Sequence, residues 1–133
     1  MTTGVVLDTS AVVAILQGEQ GNAALVERLA TASPRLLSTA ARVELGIVFE
    51  ARFGAAGRDL VDRFLRDAAV ELVDVTAETA ERAMSAWRRF GKGRHPAGLN
   101  LGDCFSYALA DQSGLPLLCT GEDFAATDLE VIR

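Results

Sequence analysis

The sequence has little of what redox, zinc and nucleophile chemistries require. It holds two cysteines, Cys104 and Cys119, and one histidine, His95, in 133 residues. Two cysteines in apolar surroundings make neither a disulfide framework nor a zinc site, and both read as small core residues. His95 lies in a glycine-rich stretch far along the chain from any candidate nucleophile, so a Ser–His–Asp or Cys–His arrangement is unsupported. No GxGxxG or Walker loop is present to cradle a nucleotide. No apolar run approaches the roughly 20 residues that cross a bilayer, and the start lacks the basic region of a signal peptide. A cytoplasmic protein without membrane contact is therefore expected. Basic residues are outnumbered 13 to 18, for a net charge of −5, which argues against a general nucleic-acid coat protein, because non-specific binding relies on basic surface that displaces counterions.

Half of the residues are apolar, enough for a sizeable core in one domain spanning residues 1–133. Charge is unevenly spread. Between Arg82 and Gly102 there is no Asp or Glu, while Arg82, Arg88, Arg89, Lys92 and Arg94 fall there beside His95. This stretch reads either as a solvated helix face and loop or as a phosphate-binding edge.

The stretch GVVLDTSAVVAIL, residues 4–16, organises the rest. Val5, Val6 and Leu7 read as a buried strand of a parallel sheet, and such strands present functional side chains at their carboxyl ends. Asp8 is that end. An ionised carboxylate there needs a proton, hydrogen bonds or a cation. A simpler role is helix capping, which Thr9 or Ser10 could also perform.

Further elements follow in order. Helices are expected over residues 11–16, 21–32 with Leu25, Val26 and Leu29 on one face, 40–52 capped by Thr39, and 58–67 after breaks at Gly54 and Gly57. Another, capped by Thr76, has Ala80, Ala83, Met84 and Trp87 as a core stripe, and the last covers 99–113 with Leu101, Cys104, Phe105, Ala108 and Leu109 facing inward. Strands are expected at 35–38, 70–75 and 117–119, with a short fifth over 129–132. Residues 91–98, GKGRHPAG, read as a loop. Alternating strands and helices imply an α/β fold, with helices on both faces of a central parallel sheet of four to five strands.

Four more acids attract attention. On a helix, Glu44 is flanked by Ala40, Ala41, Ile47 and Val48, so its carboxylate is expected to have a dedicated partner. Asp103 follows the expected N-cap Asn100 by three positions, where an acid supports the helix end, yet it can face the rim that holds Asp8. Glu122 and Asp123 lie in the turn after the fourth strand, with Thr120 as a hydroxyl contact or cap. Carboxylates gathered at one sheet edge repel one another, and with no Lys or Arg near Asp8 or on the Glu44 face, a divalent cation is the natural neutraliser. All-oxygen ligands favour Mg²⁺ or Mn²⁺ over zinc. Such ions hydrolyse phosphodiesters by lowering the pKa of water and stabilising charge on the phosphate.

The segments VVLDTSAVVAIL, STAARVELGIVFEARFG and KGRHPAGLNLGDCFSYALADQSGLPLLCTGEDF resemble, in order and over nearly the whole chain, the PIN-domain ribonucleases, and most closely the VapC toxins of toxin–antitoxin pairs. That resemblance implies a PIN-like three-layer α/β/α sandwich and a metal-dependent endoribonuclease acting on structured RNA such as tRNA or rRNA. It also implies neutralisation by a VapB-type antitoxin and a homodimer. The family's first three acids correspond to Asp8, Glu44 and Asp103. Its fourth, commonly an Asp, falls on Glu122, with Asp123 immediately after, and either could serve. Arg88, Arg89, Lys92 and Arg94 would then guide RNA toward the acidic pocket. Two other classes stand beside this reading: an aspartyl-phosphate phosphotransferase or receiver-like domain built on Asp8, and a non-catalytic acidic interaction module. The first lacks a second Asp at Ser10 and an obvious catalytic lysine.

Overall fold

The computed structural model describes residues 3–133. Five strands, β1 (Val5–Leu7), β2 (Arg35–Ser38), β3 (Glu71–Val73), β4 (Leu117–Leu118) and β5 (Val131–Ile132), form one parallel sheet in the order β3-β2-β1-β4-β5. The helices are α1 (Thr9–Gln17), α2 (Asn22–Ala30), α3 (Thr39–Phe53), α4 (Ala55–Asp67), α5 (Ala77–Phe90) and α6 (Leu101–Ser113), with a 3-10 turn over Phe124–Ala126.

The apolar β1 run has its explanation in the layers. Val5 and Leu7 join a core with Leu25, Leu37, Leu45, Phe49 and Leu118, supplied by α1 to α4. Val6, pointing the other way, packs with Leu36, Leu117, Tyr107, Ala108 and Phe90 beneath α5 and α6. A strand covered on both faces must be apolar at every position, and burying each such side chain is worth about 1.5–3 kcal/mol. The expected α/β/α sandwich is the observed one. No helix among the described residues is long and apolar enough to cross a membrane.

Several local expectations shift. Ser38, not Thr39, caps α3, accepting from the Ala40 N–H at 3.2 Å. Thr39 Oγ1 instead accepts from the Val75 N–H at 3.2 Å, tying the end of β2 to the segment after β3. Gly57 does not break a helix. It lies inside α4, where a Cβ would fall 2.1 Å from the Phe49 carbonyl oxygen, so α3 and α4 approach only because no side chain intervenes. Leu101 is 78% exposed, and Met84 and Trp87 are 46% and 39% exposed, so these three residues, expected in the core, lie at the surface, while Ala83 of the same stripe is buried as expected.

The connection between α5 and α6 sets the position of the latter's first turn. The helices run antiparallel, with Thr79 Oγ1 donating to Gln112 at one end and the Leu99 N–H to the Phe90 carbonyl at the other. In the loop between them, His95 Nδ1 accepts from the Ala97 N–H and its ring stands edge-on to Phe90 at 5.1 Å. This compact loop delivers Asn100 as the α6 N-cap.

Candidate active site

Asp8 caps a helix and stands at the end of the strand. It is the N-cap of α1, its carboxylate accepting from the Ser10 N–H at 3.0 Å, and it is 4% exposed at the carboxyl end of the central strand. One helix N-terminus therefore faces its charge, while its second oxygen has no donor among the described residues. Ser10 Oγ accepts from the Thr120 N–H at 3.1 Å, which joins the start of α1 to the turn after β4. The Thr9 hydroxyl is buried without a hydrogen-bond partner among the described residues.

Asp103 is fixed by its helix. Asn100 Oδ1 accepts from the Asp103 N–H and Asp103 Oδ2 from the Asn100 N–H, at 2.9 and 3.0 Å, a reciprocal capping box. The Asp103 pKa is nevertheless pushed up to about 6. Burial is the main cause, the Asn100 hydrogen bond opposes it, and the charges of Asp8, Asp123 and Glu44 add to it. Acids from the end of β1, from α3 and from the last turn thus act on the one carboxyl group that α6 supplies.

Glu44 reaches this group across α6. Its carboxylate lies against Gly102, where a Cβ would sit 2.6 Å from Oε2 and 2.9 Å from Oε1. No protein donor satisfies it. The dedicated partner expected for Glu44 is absent among the described residues, and its face is a surface groove with Val43, Ile47, Leu101 and Phe105, not an interior. Sequence reasoning missed Gly102; the small residue directly before an acid in a first helical turn was its only signal.

The two adjacent acids of the last turn separate. Glu122 is 86% exposed and pairs with Arg133, whereas Asp123 is the one whose charge Asp103 feels. No Lys or Arg forms an ion pair with Asp8, Glu44, Asp103 or Asp123 among the described residues. Nor do any three Asp, Glu, His or Cys side chains there converge as a ready-made metal cage. Carboxylate oxygens without a basic partner are the donor chemistry of a hard divalent cation, which keeps several waters and needs only one or two carboxylates. The donor set fits the ion.

The basic stretch divides as well. Arg89 is spoken for: it donates to Asp128 at 3.0 Å and to the Tyr107 hydroxyl at 3.3 Å, while Tyr107 donates to Asp128. That network straps α5 and α6 to the segment after the 3-10 turn. It depresses the Asp128 pKa, chiefly through the Tyr107 hydrogen bond, and raises that of Tyr107, chiefly through burial. Arg82 is likewise held by Glu78 and Asp111. Arg88, Lys92 and Arg94 have no carboxylate partner among the described residues, and Arg94 lies over the Trp87 ring at 4.8 Å.

Comparison with known proteins decides the family. Residues 5–130 match the PIN domain. A ribonuclease VapC of Mycolicibacterium smegmatis is 51% identical over 128 residues, 96% of this chain and 99% of that protein. Ribonuclease VapC30 of Mycobacterium tuberculosis is 50% identical over 127 residues, 96% and 97% of the two chains. The chain belongs to the PIN-domain VapC ribonucleases. Among solved structures, Mycobacterium tuberculosis VapC20, a Sarcin-Ricin loop cleaving toxin, shares the fold with a TM-score of 0.78 at 20% identity, covering 98% of this chain and 99% of that one. DNA-bound VapBC from Salmonella typhimurium does so with a TM-score of 0.80 at 16% identity and 98% coverage of both.

Membership in the VapC family disfavours the receiver-like reading. The site agrees, because the only lysine, Lys92, lies in the loop before α6 and Ser10 is engaged by Thr120.

Proposed function

We propose that this chain is the toxin of a VapBC-type pair, a metal-dependent endoribonuclease that cuts structured RNA such as tRNA or rRNA and is neutralised by a VapB-type antitoxin. The observation that carries the proposal is the set of four carboxylates, from four separate parts of the chain, sharing one field without a paired Lys or Arg.

Asp8 and Asp103 would hold the principal Mg²⁺ or Mn²⁺, and Glu44 would either ligate it or orient water beside it. Asp123 is the fourth acid, and Glu122, drawn aside by Arg133, is not. When bound, the ion supplies charge neutralisation at the phosphate and a lowered pKa for water. The protein's own contribution is positional. The capping box fixes Asp103, the α1 N-terminus fixes Asp8, and Gly102 admits the Glu44 carboxylate against the first turn of α6. Thr9, Ser10 and Thr120 support the rim, Ser10 by joining α1 to the last turn. Arg88, Lys92 and Arg94 draw the RNA backbone toward an otherwise repulsive site.

Two apolar surfaces fit protein partners. A groove between α1, α2 and α4, lined by Ile15, Leu16, Val26, Leu60 and Phe64, suits an apolar antitoxin segment. The exposed strip of Val43, Ile47, Leu101 and Met84 suits the second copy of a homodimer.

The test is incubation of purified protein with total RNA, with and without EDTA, followed by sequencing of the new ends. Discrete new ends that vanish with EDTA and in Asp8→Asn support the proposal. Equal cleavage by the variant rejects it.

A further inference from the structure

A site of four carboxylates repels the polyanion it must cut, so some cation has to meet the phosphate at close quarters. The loop residues Lys92 and Arg94 lie before α6. A different basic side chain is built into the other end of the chain.

β5 pairs in parallel with β4, placing Leu118 opposite Ile132, and the Cys119 N–H donates to the Ile132 carbonyl at 3.0 Å. The ladder carries Arg133 one residue further, to the same carboxyl edge as Cys119 and Thr120. Thr120 is in turn bonded to Ser10, two residues from Asp8. The guanidinium is at this edge, since Arg133 bonds Glu122, the residue before Asp123. The Cys119 thiol, pushed up to about 12 mainly by burial, also senses Asp8, Arg133, Asp103 and Asp123, so these charges surround the end of β4 together.

The Glu122 pair is a weak restraint. Its side chains are 86% and 41% exposed, and exposed pairs are screened by water and contribute little. A phosphate offers Arg two parallel charge-assisted hydrogen bonds, which a surface carboxylate in water does not outcompete.

We propose that Arg133 is a phosphate-contacting residue of the nuclease site, parked on Glu122 in the free protein and transferred to an RNA phosphate beside Asp8 and Asp123 on binding. This inference rests on the ribonuclease reading and adds to it a substrate contact outside the acidic set. Glu122 is then a holder for the arginine, which explains an exposed acid beside the site that does not face it.

The experiment measures RNA binding and cleavage separately. Binding of a labelled RNA is followed by anisotropy in the Asp8→Asn background, with Arg133→Gln, Arg133→Lys and Glu122→Gln added singly and Arg133→Gln with Glu122→Gln together. Cleavage is followed in the otherwise native chain. Arg28→Gln is the charge control, because Arg28 lies near Val5 and Pro116 at the opposite edge of the sheet. Arg133→Gln is expected to weaken binding roughly five- to tenfold, to lower the salt-dependence slope by about one, and to raise KM more than it lowers kcat. Arg133→Lys should recover part of the loss, and Arg28→Gln should change little. Glu122→Gln should tighten binding, and that gain should disappear when Arg133 is also Gln. Equal effects of Arg133→Gln and Arg28→Gln, or a Glu122→Gln gain that survives without Arg133, overturn the inference. Absence of any cleavage by the native chain instead defeats the ribonuclease reading, which separates the two failures.

Discussion

Glu44 and Gly102 occupy one shared space: the glutamate carboxylate stands where a side chain on residue 102 would begin, 2.6 Å from a Cβ built there. The first turn of α6 therefore serves the site twice, through Asp103 and through the vacancy at its neighbour. Gly102→Ala should displace the flexible Glu44 head while leaving the fold intact, since alanine suits a helix better than glycine by about 1 kcal/mol. RNA cleavage is expected to fall by roughly ten- to a hundredfold, the range typical of mispositioned metal-site groups. Unchanged circular dichroism with lost cleavage is the outcome to look for. Full activity would show that Glu44 is dispensable.

Asp8→Asn offers a clean separation of cap from chemistry. Asparagine caps helices about as well as aspartate, so α1 should remain. Cleavage should drop by more than about a hundredfold, as when one electrostatic stabiliser is removed from an active site. A thermal midpoint that also collapses would mean that the charge at Asp8 serves the fold.

The elevated Asp103 pKa gives a dependence on pH with a definite sign. In metal-free protein the folded state holds the Asp103 proton up to pH about 6, above the ordinary value of 3.8. The ionised group therefore destabilises the fold at neutral pH, and this penalty is relieved as pH falls from above 6 toward 3.8. With EDTA present, Asp103→Asn should raise the thermal midpoint at pH 8 and flatten this part of the profile. Divalent-ion affinity of the native chain should fall as pH drops below about 6, because binding requires the carboxylate. Isothermal titration with Mn²⁺ at several pH values checks it.

Arg89 is tied into a strut with Tyr107 and Asp128. Tyr107→Phe leaves Asp128 with one partner fewer and should cost about 1–3 kcal/mol of stability, read from denaturant midpoints. Arg89→Gln should likewise lower stability. Lys92→Gln should instead weaken RNA binding with stability unchanged. A stability loss in Lys92→Gln as large as that in Arg89→Gln would erase the distinction.

What the chain revealed beforehand followed from strong local rules. Asp8 stood out because nothing apolar on either side excused a charge, and Asn100 with Asp103 spelled a capping box that the structure contains. The layered fold was legible from the alternation of apolar strands and helices. What stayed hidden was set by distant neighbours. The commitment of Arg89 to Asp128 joins residues 39 apart, and no pattern within α5 distinguishes it from Arg88. Glu122 and Asp123 are equivalent as a dipeptide, and only the β4–β5 ladder that brings Arg133 alongside separates them. Helical spacing marked Met84, Trp87 and Leu101 as apolar, but spacing cannot tell a face that meets the sheet from one left for another molecule. Gly57 read as punctuation because its reason, the Phe49 backbone, lies on a neighbouring helix.

The strand order makes the rim of the sheet depend on parts of the sequence that lie far apart. β1 is the middle strand, and its neighbour on one side, β4, begins only at residue 117. A nick that frees the segment from β4 onward would part Asp8 from Asp123 and open the sheet beneath it. The integrity of the rim therefore reports on the integrity of the fold.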